Sequence, residues 1–234
     1  MATCNICGGQ QFGTGPGGRR SCTDQPPKCL SCNSLERHRS LWQTYTALAE
    51  KIFFHEMSAI HFSRDSSIDR KWFHSYERSL YGINNSINIM DIDRADMSYD
   101  IVVCNHVLEH LSDDIIALRE LMRITSGKGF LQFSVPGSCS LNKTRDWGFP
   151  DKTKHGHYRQ YGMDFEKKLY EALPYNVYWL IAVQADPVTR AKCLFFFVTR
   201  SKKIITIIRL QLKTVSTIFN DCLKWGVGSW AGAT

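Results

Sequence analysis

The chain has 234 residues, with 29 Lys and Arg against 22 Asp and Glu, for a formal net charge of +7. A hydrophobic share of 43% and an aromatic share of 12% can fill a core, which excludes a wholly disordered chain. No apolar run approaches the ~20 residues of a spanning helix, which excludes a polytopic membrane protein. The charge is unevenly placed: residues 51–200 are nearly neutral, whereas residues 201–234 hold five basic residues against one acidic. A nucleic-acid enzyme concentrates basic charge where it meets phosphates, so this distribution weighs against nucleic acid as the main partner. The start, Met1-Ala2-Thr3-Cys4, lacks the basic and apolar regions of a secretory signal. With nine cysteines at uneven spacing, the expectation is a reducing cytoplasm rather than a disulfide framework.

Residues 1–50 read as a small module. Cys4-Asn5-Ile6-Cys7 and Cys29-Leu30-Ser31-Cys32 are two CxxC pairs, and two such knuckles complete a tetrahedral Cys4 zinc site. The Gly- and Pro-rich stretch between them suits a zinc ribbon, a loop-rich unit whose ion replaces a core. A redox role for either pair is the alternative, and Cys22 is left over. The run from Ser34 through Leu48 has the pattern of an amphipathic helix capped by Ser34.

Residues 51–200 alternate between strand and helix signals. Ala59–Phe62 predicts a strand, followed by a polar turn, a helix from about Ile68 to Tyr76, and strands at 79–83 and 87–90. Tyr99–Cys104 is the clearest strand of the chain. A helix is expected from about Asp113 to Ile124, a strand over Gly129–Val135, a helix from Asp164 to about Leu173, and a closing hairpin near 177–183 and 193–198. Such alternation predicts an α/β doubly wound sheet that binds ligands at the carboxyl ends of its strands. Beyond residue 201, Ile204, Ile205, Ile208, Leu212, Val215, Ile218, Phe219 and Cys222 recur at helical spacing among Lys and Arg. A basic amphipathic helix of this kind can pack on the body, join an oligomer or make a peripheral membrane contact.

The segment Tyr99-Asp100-Ile101-Val102-Val103-Cys104-Asn105-His106-Val107-Leu108-Glu109-His110-Leu111 resembles the fourth-strand motif of class I S-adenosylmethionine (SAM)-dependent methyltransferases of the type-11 group. The likeness continues through Ala117–Ile124, Gly127–Phe130 and Val135-Pro136. His157-Tyr158-Arg159-Gln160-Tyr161-Gly162, and the cysteine pairs followed by Ser34–Arg39, are similar to a zinc-bearing subgroup. The resemblance implies a Rossmann-like methyltransferase sheet with SAM as cofactor and a structural Zn2+. It places the cofactor at Phe62, Ser63, Asp65, Asp91, Ile92, Asn105 and His106, with Asp65 meeting the SAM ammonium and Asp91 the adenine amino group. Two departures stand out: the loop His61–Ser67 has no glycine, and Gly82-Ile83-Asn84-Asn85 lacks the usual acidic residue for the ribose.

Methyl transfer from a sulfonium is an in-line displacement, and a hydroxyl acceptor also needs a base. His106 is the first choice for that base, with His157 and His110 as the other catalytic candidates. His106, Glu109 and His110 can alternatively be read as ligands of a divalent ion. Arg159 and Tyr161 either orient an anionic or sugar-like acceptor or bridge loops, and Asp146–Pro150 supplies aromatic faces for a lid. The function this implies is O-methylation of a sugar, glycan or small polar metabolite. RNA methylation and a non-catalytic, protein-binding zinc scaffold stand as the alternatives.

Overall fold

The computed structural model of the chain describes residues 2–83, 86–137, 141–212 and 214–218, the last five by their backbone alone. The cysteine module contributes two short strands, β1 (Phe12–Gly13) and β2 (Lys28–Cys29), paired antiparallel, and leads into helix α1 (Glu36–Leu48). The body follows as β3 (Ser58–His61), β4 (Ser75–Arg78), β5 (Tyr99–Asn105), α2 (Asp114–Ile124), β6 (Thr125–Ser134), β7 (Arg145–Asp151), β8 (His157–Gln160), α3 (Phe165–Ala172), β9 (Tyr178–Ala185), β10 (Lys192–Thr199), α4 (Lys202–Gln211) and β11 (Thr214–Ile218).

One seven-stranded sheet has the order β11-β9-β10-β6-β5-β3-β4. Its β4-β3-β5-β6 half is parallel, and β10, β9 and β11 join antiparallel. The strand β5 shows why the parallel half sits in the middle. Val102 and Cys104 face a core shared with α2 and α3, while Ile101 and Val103 face a second core with α1 and α4. A strand covered on both faces reads as a continuous apolar run. Helix α2 begins where the Asp113 carboxylate accepts the Ile116 N–H at 2.9 Å, a side-chain N-cap. It buries Ala117, Leu118, Leu121 and Met122 against the sheet. Midway along β6 the chain passes so close to β5 that a Cβ on Gly129 would lie 1.6 Å from the Asp100 carbonyl oxygen, so only glycine fits there.

Several expectations are corrected. The segment 68–76 is no α-helix: a short 3-10 turn at Arg70–Trp72 gives way to β4, which ends at Arg78 before the strand expected at 79–83. No strand forms over 87–90; Ile87, Ile89 and Met90 instead lay apolar side chains on the α2 side of the core. Residues 145–160 form a separate hairpin, β7-β8, which periodicity did not reveal because its first strand is largely exposed. Ser34 does not cap α1, since its hydroxyl is 3.4 Å from Cys4 Sγ and 3.2 Å from Cys32 Sγ; Leu35 takes the cap position.

Helix α1 belongs to the sheet's second layer as much as to the cysteine module. Leu41, Tyr45 and Leu48 fill the core with Phe130, Leu180 and Phe197. Arg39, wholly buried, holds Asp186 in a bidentate ion pair at 2.8 Å and so fastens α1 to the β9-β10 turn. The tail packs on this same layer: Ile204, Ile205 and Ile208 of α4 are buried. Of the three roles the sequence leaves open for this helix, packing on the body is the one that residues 202–211 adopt. After Leu212 the chain turns from helix to β11, which pairs with β9, and Phe219, Cys222 and Lys224 lie outside the described residues. Among the described residues, no helix is long and apolar enough to cross a membrane.

Candidate active site

The carboxyl ends of β3, β5 and β6 meet beside α1. Beyond β3 the glycine-free loop wraps around Asp65, whose carboxylate accepts the Ser63 hydroxyl at 2.5 Å, the Ser67 N–H at 2.9 Å and the Ser67 hydroxyl. His61, fully buried, points Nε2 at the same carboxylate from 3.7 Å. Its Nδ1 is 2.9 Å from the Tyr76 hydroxyl, which in turn accepts from Arg78 Nε at 3.0 Å. With Tyr76 accepting from Arg78, its own hydrogen is available to Nδ1, and in that tautomer the ring hydrogen sits on Nε2, facing Asp65. Burial pushes Asp65 up, but the facing His61 and His38 and the serine hydroxyls outweigh it and hold the carboxyl well below its usual range. Burial also lowers His61 to about 4, with Arg78 acting in the same sense. The serines of this glycine-free loop thus direct their donors to its own carboxylate.

Arg37, His38 and Leu41 of α1 close the other side. With Asp65, Ser67, Asn105, Ser134 and Phe195 they line a narrow cleft whose walls lie too close together to admit a water-sized sphere. His38 Nδ1 accepts the Leu35 N–H at 3.1 Å, which fixes the hydrogen on Nε2, a buried donor with no acceptor among the described residues. Burial lowers His38 to about 4, so the ring is neutral at physiological pH. The Arg37 guanidinium, on the same cleft, carries none of the hydrogen bonds or ion pairs found among the described residues. The floor is a buried amide pair: Asn105 Nδ2 donates to Gln132 Oε1 at 3.2 Å and Gln132 Nε2 to Asn105 Oδ1 at 3.0 Å, where the Ser134 hydroxyl adds 2.7 Å. Sequence reasoning missed Arg37 and His38 because α1 was read as a linker of the cysteine module.

His106 follows at the tip of β5. Its φ of +54° lies in the left-handed region, a strained place for a residue with a Cβ and one enriched at functional sites. Its N–H donates to the Ser134 carbonyl at 2.9 Å, and Nδ1 is 3.5 Å from Glu109 Oε1. Glu109 is 1% exposed and its Oε2 has no partner among the described residues. His110 and His157 stack edge to face with ring centroids 4.6 Å apart, and burial lowers the His157 pKa. The ligand atoms brought within 4.8 Å of one another are those of Glu109, His110 and His157. His157, rather than His106, is thus the third member of the group read from sequence.

Arg159 and Tyr161 are committed to the scaffold. Arg159, 3% exposed, donates to the carbonyls of Leu108, Leu111 and Ser112 and to Asp146 Oδ2; the Tyr161 hydroxyl donates to Asp114 Oδ2 at 2.7 Å. Of the remaining cofactor candidates, Phe62 and Ile92 are buried in the α2-side core, and Asp91 is exposed on the loop before β5, away from the lining of the cleft. Asn84 and Asn85 lie outside the described residues.

In the cysteine module, Cys4 Sγ is 3.8 Å from Cys32 Sγ and Cys7 Sγ is 3.7 Å from Cys29 Sγ. A tetrahedron with metal–sulfur bonds of about 2.3 Å has edges of about 3.8 Å. The two knuckles also match in backbone. The residue after each second cysteine has a positive φ, +76° at Gly8 and +60° at Asn33, and returns its N–H to the first cysteine's carbonyl at 2.8 and 2.9 Å.

A family model described as "Methyltransferase domain" matches residues 35–162, more than half of the chain. The chain belongs to this methyltransferase family. It is a SAM-dependent methyltransferase, and the match begins at Leu35, so it includes α1 with Arg37 and His38. A solved structure shares the fold, and a second is reported beside it. A SAM-dependent methyltransferase of Leishmania major is 12% identical, with 69% of this chain and 72% of that one covered and a TM-score of 0.51. One from Aquifex aeolicus is 14% identical, with coverage of 68% and 90% and a TM-score of 0.41. No curated protein matches the sequence significantly.

Proposed function

We propose that this methyltransferase transfers the methyl group of SAM to a hydroxyl of a sugar, a glycan or a small polar metabolite, with His106 as general base. The observation that carries the proposal is the placement of His106: a strained histidine at the tip of β5, its Nδ1 3.5 Å from the buried Glu109 carboxylate. A carboxylate behind one ring nitrogen favours the tautomer whose other nitrogen accepts a proton, and stabilises the imidazolium that results. In the proposed complex the narrow cleft between α1 and the Asp65 loop opens to take the amino-acid end of SAM. Its ammonium faces Asp65, and its carboxylate takes the free donors of Arg37 and His38 Nε2. Asp91 and Ile92 hold the adenine, Phe62 and Ser63 shape the first loop, and Asn105 and His106 border the methyl group. The hydroxyl oxygen then forms its bond to the methyl carbon as the C–S bond breaks, the pair leaves on a neutral thioether sulfur, and the proton passes to His106. Trp147 and the exposed Phe149 of β7 offer ring faces to an acceptor.

Cys4, Cys7, Cys29 and Cys32 would hold one structural Zn2+, consistent with a reducing, cytoplasmic setting. Titration of zinc-replete protein with SAM and its demethylated product should give one saturable site, weakened in Asp65→Ala and Asp91→Ala. Methyl-labelled SAM offered with nucleotide sugars, glycans and RNA then identifies the acceptor. On that acceptor His106→Asn, whose side chain tolerates the left-handed backbone, should lower kcat by about 10²-fold or more with SAM affinity retained. Wild-type turnover in His106→Asn would sink the base assignment, and labelling of RNA alone would sink the acceptor class.

A further inference from the structure

We infer that Glu109, His110 and His157 form a site for one divalent metal ion beside His106, separate from the cysteine cluster. The inference extends the proposed reaction, since it assigns the ion to the acceptor's side of the methyl group. Three observations carry it.

The first is Glu109 itself. A carboxylate 1% exposed with one oxygen lacking any partner among the described residues is costly to keep unless a cation meets it. The nearby cationic side chain does not do so: Arg159 directs its N–H groups to Asp146 and to three main-chain carbonyls. Lys168 is paired with Asp114 at 3.1 Å. The second is the donor set. Two imidazoles and one carboxylate place their ligand atoms within 4.8 Å of one another, so modest side-chain rotations bring all three to one centre. Two His and one carboxylate suit Mn, Fe, Co, Ni or Zn in the divalent state better than Mg, and they leave open positions on the remaining face. The third is the support behind the ligands. His157 opens β8, and Arg159, two residues along that strand, reaches the carbonyls of Leu108, Leu111 and Ser112. One buried side chain thereby fixes the strand that carries His157 against the turn that carries Glu109 and His110, as outer-shell groups do around metal ligands.

An ion held there lowers the pKa of an acceptor hydroxyl bound on its open face. With two adjacent open positions, it favours acceptors that present neighbouring oxygens, such as a vicinal diol. His106 takes the proton of the bound hydroxyl, the oxygen attacks the methyl carbon, and sulfur leaves as the thioether.

The test uses the full chain with its cysteine module loaded with zinc, so that thiolates are occupied. Mn2+ is then titrated and followed by the loss of the free-ion EPR signal, with SAM titration and thermal unfolding run in parallel. Wild type should take up one Mn2+ per chain. His110→Ala, at an exposed position, and His157→Ala should each weaken that uptake by at least about 10-fold, with SAM affinity and unfolding midpoint held. Absence of Mn2+ uptake by folded wild type that binds SAM would overturn the metal site and leave the methyltransferase assignment standing. Uptake unchanged in both histidine variants would also overturn it, since the ion would then sit elsewhere. Failure to bind SAM would count against the cofactor assignment, independently of the Mn2+ result.

Discussion

Two buried carboxylates lie at the same end of the sheet, and they are treated in opposite ways. Asp65 is enclosed by donors from its own loop and faces His61, which Tyr76 and Arg78 hold in turn. Glu109 sits deeper, meets His106 at a long 3.5 Å, and keeps one oxygen bare. A carboxylate saturated by fixed dipoles is a preorganised acceptor whose geometry does not change when a ligand arrives. One left unsaturated marks a place where a cation or a transferred proton is still to come.

The contrast is sharpest when a third carboxylate, Asp186, is included, because its pairing with Arg39 is complete and solvent-free. Arg39→Ala should lose about 3–5 kcal/mol of stability, measured by denaturant titration; a loss below ~1 kcal/mol would show that the pair does not hold α1 to the β9-β10 turn. Of comparable size is the pH response of the Asp65 region. His61 and His38 fall to about 4 from an ordinary 6.5, so on acidification the unfolded chain takes up protons first. Their contribution is complete above pH ~6.5 and declines toward pH ~4 by about 1.4 kcal/mol per pH unit for each ring. The depressed Asp65 acts in the same direction at lower pH. Unfolding free energies that do not change between pH 6.5 and 4.5 would contradict the buried, neutral state of both rings.

Removing the bare charge should do the reverse. Glu109→Gln in metal-free protein should gain about 1 kcal/mol while turnover collapses; a destabilised variant would mean that Glu109 is paired after all. The smallest effect on stability belongs to Arg37→Met. Because it forms no hydrogen bond or ion pair among the described residues, it should stay within about 0.5 kcal/mol of wild type, yet SAM should bind about 10-fold more weakly. Equal SAM affinity would remove Arg37 from the cofactor site.

Much of this molecule was legible in the sequence where one physical pattern dominated. The run Tyr99–Cys104 gave β5 because both faces of a central parallel strand are apolar, and the CxxC spacing brought four sulfurs together. The late hairpin, α2 and α3 followed from periodicity. What failed were elements whose pattern tertiary contacts override: Ser75–Arg78 is polar by composition yet becomes a strand because it can pair with β3. The strand expected at 87–90 serves as apolar cover instead. At the site, His106, Glu109 and His110 were adjacent in a recognisable motif. The proximity of His157 to His110 depends on the β7-β8 excursion between them, and that of Arg37 and His38 to Asp65 on how α1 lies across the sheet. Neither distance is written in local spacing.

The Arg39–Asp186 pair joins residues 147 positions apart, and Thr23 reaches the same turn through the Thr189 carbonyl at 2.6 Å. During synthesis at ~5–20 residues per second, the cysteine module emerges on the order of ten seconds before the hairpin that receives it. Over that interval its thiols stand exposed without their docking surface. The contacts that dock the module therefore close last, once the β9-β10 turn has been made.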